Sequence, residues 1–279
     1  MARNPSPTLR RREVAARLRE LRRQADLTID EIAGRLMVSA TKVSRLETGA
    51  RPASLRDIRD LCSLYGVDDA ERKHLMTLAR QSHEPSWWQQ FDLPYSNFIG
   101  LEADAAAISD YKSAIIPGLL QTEAYCRALL QAIVPKLEPK ALEHRLEARV
   151  ARQRLLGESV RFLFILDEAV LHRVVGGSQV MHDQLRKVID LAGRDNVELR
   201  VLPFVVGAHP AVESNFSILE FDEKVPDVVY VEGLAGNLYL ESPSDLDRYR
   251  NVLKKLLSVS LTSAASDGML RAFLDRYAP

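Results

Sequence analysis

Three times between residues 28 and 57 the chain places a small polar residue ahead of an apolar stripe. That repetition restricts the segment to short, closely spaced helices. Thr28-x-x-Glu31 is a capping-box pattern, in which hydroxyl and carboxylate satisfy the free amides of a helix start reciprocally. Ile32, Ala33 and Leu36 form the stripe of the helix that follows, and Met37-Val38 make a short connection. Ser39 is placed to cap the next helix, which turns Val43 and Leu46 inward and stops at Gly49. After Pro52, Ser54-x-x-Asp57 opens a fourth helix, predicted to bury Leu55, Ile58, Leu61, Cys62 and Tyr65 and to end at Gly66. Upstream, Val14, Leu18 and Leu21 recur at helical spacing and predict a helix over about 10–25. Asp68 caps a fifth that runs to about Gln81. Residues 1–82 therefore read as an all-α domain of five helices.

The second and third of these helices are joined by a very short turn. At about 100° per residue, Val43 and Leu46 mark the inward side of the third helix. Ala40, Thr41, Ser44 and Arg45 fall almost opposite. That outward face is narrow, polar and small, and holds no acidic side chain for phosphates to repel. A helix of this kind fits deep in the major groove of double-stranded DNA. Charge agrees in sign. The whole chain is neutral, yet residues 1–60 hold 14 Lys and Arg against 8 Asp and Glu, and the remainder carries the opposite excess. A basic head suits a polyanion, although the same numbers also describe a merely solvated face.

In these residues the chain resembles the XRE, or Cro-repressor-like, helix-turn-helix family. The carrying residues are Leu21-Arg22, then Leu27-Thr28-x-x-Glu31-Ile32-Ala33, then Ser39-x-x-Lys42-Val43-Ser44-Arg45-Leu46-Glu47-x-Gly49, within about residues 10–66. The resemblance implies that Ala40, Thr41, Ser44 and Arg45 face base edges, with Arg45 suited to a bidentate bond to guanine. It implies phosphate contacts for Thr28, Lys42 and Arg51, and an internal ion pair between Arg22 and Glu47. The long polar residue often found after the Thr28 position is Ile29 here, so that contact is lost. Arg10-Arg11-Arg12 either adds phosphate contacts or forms a disordered basic tail. One such helix reads a half-site, so a homodimer is expected.

The chain has 279 residues, enough for two domains. No apolar run is long enough to cross a bilayer, and the basic start lacks a signal-peptide core. The expectation is a cytoplasmic protein acting at the nucleoid, with no membrane partner. The two cysteines, Cys62 and Cys126, form no CxxC and read as buried small side chains. Residues 83–97 look like a junction, with Pro85, Pro94 and the adjacent Trp87 and Trp88. These tryptophans either pack domains together or, with Gln121 and His209, line a ligand or partner pocket.

Residues 98–279 alternate helical and strand patterns, so the fold class is α+β: the helical domain followed by a mixed α/β domain. Helices are predicted at 97–107, 122–133, 138–156, 179–192, from Ser242-Pro243 onward and around 269–277, with strands at 108–116, 160–166, 197–203, 215–221, 228–232 and 238–241. Here the chain is similar to the C-terminal domain of the WhiJ-like regulators of actinobacteria. The strings are IIPGLLQTEAY (115–125), EARVARQRLL (147–156), FILDEAVLHRVVGG (164–177), VELRVLPF with GAH (197–209), FSILEF (216–221) and VVYVEG (228–233). The resemblance implies a regulator with a sensing or partner-binding domain. It also implies a gene neighbourhood like that of toxin–antitoxin pairs, in which a nearby gene encodes a small partner protein.

Enzyme signatures are missing from the sequence. There is no HExxH, GxSxG, Walker loop or GxGxxG after a strand, so no catalytic residue, metal ligand or cofactor is expected. A loose echo of phospholipase D-like halves after Asp195 fails because His209 is followed by Pro210-Ala211 instead of the H-x-K pattern. Asp167-Glu168 either caps the next helix or borders a ligand at a strand end. Gly118, Gln121 and Thr122 form a plain turn and cap or border a pocket, and His209 is a pocket residue or an ordinary loop histidine.

Overall fold

The structure is a computed structural model that describes residues 5–278, apart from 92, 94, 158, 223, 224, 234 and 235. The chain divides into two compact units, Met1–Asp104 with Phe221–Pro226, and Ala105–Glu220 with Asp227–Pro279. The first holds α1 (Pro7–Gln24), α2 (Ile29–Leu36), α3 (Ala40–Glu47), α4 (Leu55–Leu64), α5 (Asp69–Gln81), a 3-10 segment (Trp87–Phe91) and α6 (Ser96–Asp104). Its core gathers Leu18 of α1, Ile32 of α2, Val43 of α3, Ile58 and Leu61 of α4 and Leu75 of α5. Each such side chain contributes roughly 1.5–3 kcal/mol of burial.

The start of α1 differs from expectation. Ser6 accepts the Leu9 amide at 3.2 Å and Pro7 takes the first helical position, so the helix begins before the arginine run. Arg10 pairs with Glu13 at 2.8 Å, Arg11 donates to the Asn97 side-chain Oδ1 at 2.9 Å, and Arg12 is buried. The run is helical and packed, not a disordered tail. Leu55, expected inside, is 38% exposed, because as the first residue of α4 it precedes the covered part of the stripe.

Residues 83–97 do not separate two bodies; they lie within the first unit. Trp88 is buried, and a Cβ added to Gly100 would sit 3.0 Å from its ring and 2.2 Å from Thr8 Oγ1. The Ser6 amide donates to the Asp104 carboxylate at 3.0 Å, and the Ser6 hydroxyl to the Gly100 carbonyl at 3.3 Å. Thus α1, α6 and Trp88 meet where only glycine fits. Gly100→Val is expected to destabilise this unit by roughly 1–3 kcal/mol. The measurement is a denaturant midpoint followed by tryptophan fluorescence, since both tryptophans of the chain are in this unit. An unchanged midpoint would show that Thr8 and Trp88 yield freely.

The second unit runs β1 (Ala107–Lys112), a 3-10 turn (Gly118–Leu120), α7 (Glu123–Ile133), α8 (Pro139–Arg152), a 3-10 segment (Gln153–Gly157), β2 (Arg161–Asp167), α9 (Ala169–His172), α10 (Ser178–Ala192) and β3 (Val197–Leu202). A short 3-10 turn (Phe204–Val206), β4 (Phe216–Glu220), β5 (Val228–Gly233), β6 (Gly236–Leu240), α11 (Pro243–Val259) and α12 (Ser263–Arg276) complete it. The six strands form one sheet in the order β3-β2-β1-β4-β5-β6. β1, β2 and β3 are parallel, as helical crossovers require, and β4, β5 and β6 continue antiparallel. Period-two alternation sends Tyr111, Ile165, Phe216, Ile218 and Val229 to one face, where Leu246 and Leu256 of α11 cover them. Phe162 and Phe164 alternate with Ile165 along β2 and are buried as well, so this strand reads as a continuous apolar run. Two buried polar side chains bond across elements: Asp110 accepts from Ser217 at 2.8 Å in its facing register position, and Gln184 bonds both the Thr122 amide and the Leu120 carbonyl at 2.7 Å.

Candidate nucleic-acid interface

The two helices that carry the groove-facing residues are built by local bonds. Thr28 Oγ1 accepts the Glu31 amide at 3.2 Å, and Glu31 Oε2 accepts both the Thr28 amide at 2.7 Å and its hydroxyl at 2.8 Å. The Thr28 amide, then its hydroxyl, hold the Glu31 carboxyl below its usual range. Met37 turns the chain in the left-handed region (φ 53°) between α2 and α3. Ser39 accepts the Lys42 amide at 3.1 Å and starts α3, and Gly49 leaves it with φ 67°.

From α3, Val43, Leu46 and Glu47 point into the core. Thr41 and Arg45 are exposed, and Ala40 and Ser44 are half-buried. The buried Glu47 carboxylate receives Arg22 Nε at 2.9 and 3.0 Å, and Arg22 Nη1 donates to the Leu27 carbonyl at 3.0 Å. This pair locks α3 onto α1 and the entry to α2. The hydrogen bond to Glu47 raises the Arg22 guanidinium above its ordinary value, against the opposing effect of burial. Burial, and then Glu47, raise the Tyr65 hydroxyl beside them.

The residues expected at phosphates separate into two kinds. Arg51 is exposed after the left-handed turn, its amide bonded to the Arg45 carbonyl at 3.1 Å. Among the described residues neither Arg45 nor Arg51 has an ion-pair partner, so both charges face solvent uncommitted. Lys42 is different, because its ammonium lies 2.6 Å from Asp57 Oδ1 and ties α3 to the start of α4. Burial opposes charge on Asp57, yet Lys42 and Ser54 together hold its pKa below the usual range. Thr28 is exposed, but its N–H and O–H are both given to Glu31. The sequence shows neither commitment: Asp57 lies fifteen residues from Lys42, and a capping box does not reveal which donors it consumes. Arg56, in the first turn of α4, has its side chain 83% exposed and lies 3.5 Å from Asp60 Oδ2.

Arg51→Ala is expected to reduce the slope of log K against log salt by about 1 in DNA binding. Lys42→Ala is expected to leave that slope unchanged, because its charge is already neutralised by Asp57. Equal slopes for the two variants would show that Lys42 leaves Asp57 for a phosphate.

The four residues expected around a pocket fall in different units. Trp87 and Trp88 belong to the first unit, their rings edge to face at 5.6 Å, with Trp87 also against Phe91 at 6.0 Å. Gln121 and His209 belong to the second. Gln121 is an interior residue, 1% exposed, which donates to the Ile116 carbonyl at 2.7 Å. Its own carbonyl accepts from Gln153 at 2.6 Å and Lys187 at 2.8 Å. His209 lies between the ends of β1 and β2, 3.4 Å from the Tyr111 hydroxyl and 3.7 Å from Asp167. The Ala211 amide donates to His209 Nδ1, and Asp167 Oδ1 accepts the Ala169 amide at 2.9 Å. A groove of about 540 Å³ lies instead in the first unit, between α1 and α5, lined by Glu13, Arg17, Glu71 and His74 among others. Among the described residues no three His, Cys, Asp or Glu side chains are grouped to hold a metal ion, and no helix is long and apolar enough to cross a membrane.

A family model described as a domain of unknown function (DUF5753) matches residues 95–272. The chain belongs to the DUF5753 family. A second model, a helix-turn-helix domain, matches residues 13–75, and so covers α2, α3 and the ion pair that locks them. No curated protein and no solved structure matches this DUF5753 chain. The family match begins at residue 95, before α6, whereas α6 packs with the first unit. The family boundary and the boundary of compact packing are therefore offset by one helix.

Proposed function

We propose that this chain is a sequence-specific, XRE-type transcriptional regulator that binds double-stranded DNA through α3 and acts as a homodimer. The single observation that supports it most is the exposed edge of α3. Thr41 and Arg45 stand outward, opposite the buried Val43 and Leu46, and Arg45 and Arg51 carry uncommitted charge. In this reading Ala40, Thr41, Ser44 and Arg45 meet base edges, and Arg51 meets phosphates. Thr28 and Lys42 act chiefly within the fold. The DUF5753 domain receives a signal or a partner. The protein works in the cytoplasm at the nucleoid, needs no cofactor and is not an enzyme.

A second reading draws on the WhiJ-like strings, all of which fall inside the DUF5753 match. In it the C-terminal domain binds a small protein encoded by a neighbouring gene, as an antitoxin would, and DNA binding serves autoregulation. One experiment addresses both. Bound sites are mapped across the genome with and without the neighbouring gene, and a recovered site is titrated against random duplex at several salt concentrations. The expected result is a preference of at least ~10³-fold for the recovered site, with both affinities falling as salt rises. Equal affinity for the two duplexes removes the regulator reading. A neighbour that neither co-purifies nor alters the mapped sites removes the antitoxin reading.

A further inference from the structure

Two helices of the first unit turn matched stripes toward one groove. From α1 come Glu13, Ala16, Arg17 and Glu20. From α5 come Glu71, His74, Leu75 and Leu78. Both sets follow the i, i+3, i+4, i+7 spacing of a single helix face, so each helix gives the groove one continuous stripe. Val225, in the stretch Phe221–Pro226 of the same unit, joins the lining. Leu75, Leu78 and Val225 are buried and supply apolar surface. The groove holds about 540 Å³, within the range of ~300–1,000 Å³ usual for small-molecule sites. Its charge is one-sided: the lining carries three carboxylates, Glu13, Glu20 and Glu71, against one guanidinium. Arg17 lies 2.5 Å from Glu71 and 2.7 Å from Glu20. Glu13 is held at 2.8 Å by Arg10, which is not part of the lining.

We propose that this groove binds a small organic cation, an apolar body that ends in an ammonium group. The body lies along Leu75, Leu78 and Val225, and the ammonium joins the carboxylates that Arg17 leaves in excess. An anion would meet carboxylates on both helices, Glu13 and Glu20 on α1 and Glu71 on α5. A neutral apolar molecule would exclude water from those carboxylates and return no charge to them. A metal ion fits poorly, since among the described residues no three His, Cys, Asp or Glu side chains are grouped to hold one. Glu13 and Glu20 are instead spread over about 10 Å of α1, at seven residues of helical rise. An extended molecule with one charged end suits that spread. Neither the site nor its test depends on DNA binding, so this site and the regulator reading can fail separately.

The test uses the full-length chain without DNA and two fluorescent probes that share one apolar body. Dansylcadaverine ends in a primary ammonium, and N-pentyl dansylamide ends in a methyl group. Dansyl emission rises when the probe leaves water, so a titration reads binding directly. The wild type is expected to bind dansylcadaverine saturably in the micromolar range, and the neutral probe at least ~10-fold more weakly. The Glu20 side chain is 57% exposed, so Glu20→Gln removes a charge at the rim and is expected to keep the thermal midpoint. It is expected to cut the preference for the cation at least ~3-fold. Ala16→Phe fills the groove and is expected to abolish binding of both probes while keeping the wild-type circular dichroism spectrum. Equal affinity for the two probes, or binding of neither, overturns the proposal. So does a folded Ala16→Phe that binds as the wild type does. A cation preference left intact by Glu20→Gln overturns it as well, and this arm decides alone where Ala16→Phe fails to fold.

Discussion

Arg22→Ala is expected to destabilise the helical unit by about 3 kcal/mol, the largest effect of any single change considered. The reason lies in the partner left behind. The Glu47 side chain is 4% exposed and receives both of its short ionic hydrogen bonds from Arg22 Nε. Removing the guanidinium strands a carboxylate in the core and also frees the Leu27 carbonyl that Arg22 satisfies. Glu47→Gln should cost less, because the Arg22 side chain is 15% exposed and can reach water. A double replacement, Arg22→Met with Glu47→Leu, should recover most of the loss, since an apolar pair strands no charge. Trp87 and Trp88 are the only tryptophans and both lie in this unit, so their fluorescence follows its unfolding separately from the sheet domain. A loss of this size corresponds to a fall of roughly 12–24 °C in the midpoint of a unit this small. If Arg22→Ala melts within a degree or two of wild type, the pair does not lock α3, and the position of the reading helix must be explained by the apolar core alone.

Arg45→Ala is expected to remove roughly 1–3 kcal/mol of discrimination between a recovered operator and random DNA, a factor of about 5 to 150. Arg45 is exposed and without an ion-pair partner among the described residues, so its guanidinium is available for a base edge. The variant also lacks one charge, which weakens binding to every sequence. Arg45→Lys separates the two effects. Lysine keeps the charge but not the planar fork, so binding to random DNA should hold near wild type while operator preference falls. Equal losses on operator and random duplex for Arg45→Ala, with Arg45→Lys indistinguishable from wild type, would assign Arg45 to phosphate and leave Thr41 and Ser44 to read bases.

The same residues show how far the sequence could be read. Helix starts at Thr28, Ser39, Ser54, Asp68 and Thr122 are legible because each cap bonds an amide within three residues. Inward and outward faces of α3 are legible for a similar reason, since residues one turn apart share a side. The α+β class followed from the strand and helix periods. Strand ends moved by a few residues: the stretch 108–116 shrinks to β1 at Ala107–Lys112, because pairing with β2 ends at Lys112. Composition marks Trp87, Trp88, Gln121 and His209 as unusual without saying where each is placed: the tryptophans belong to the first unit, Gln121 and His209 to the second.

What the sequence by itself determined are the features set within one helical turn: caps, stops, stripes and the small polar edge of α3. What only the tertiary structure decided are pairings between distant segments. Asp57 takes the charge of Lys42, Gly100 admits Trp88 and Thr8, and Ser266 accepts the Val201 amide of β3. The physical reason is reach. A cap or a stripe is fixed by neighbours a few bonds away, whereas the partner of an ammonium or an edge amide is whichever group the folded chain brings within about 3 Å.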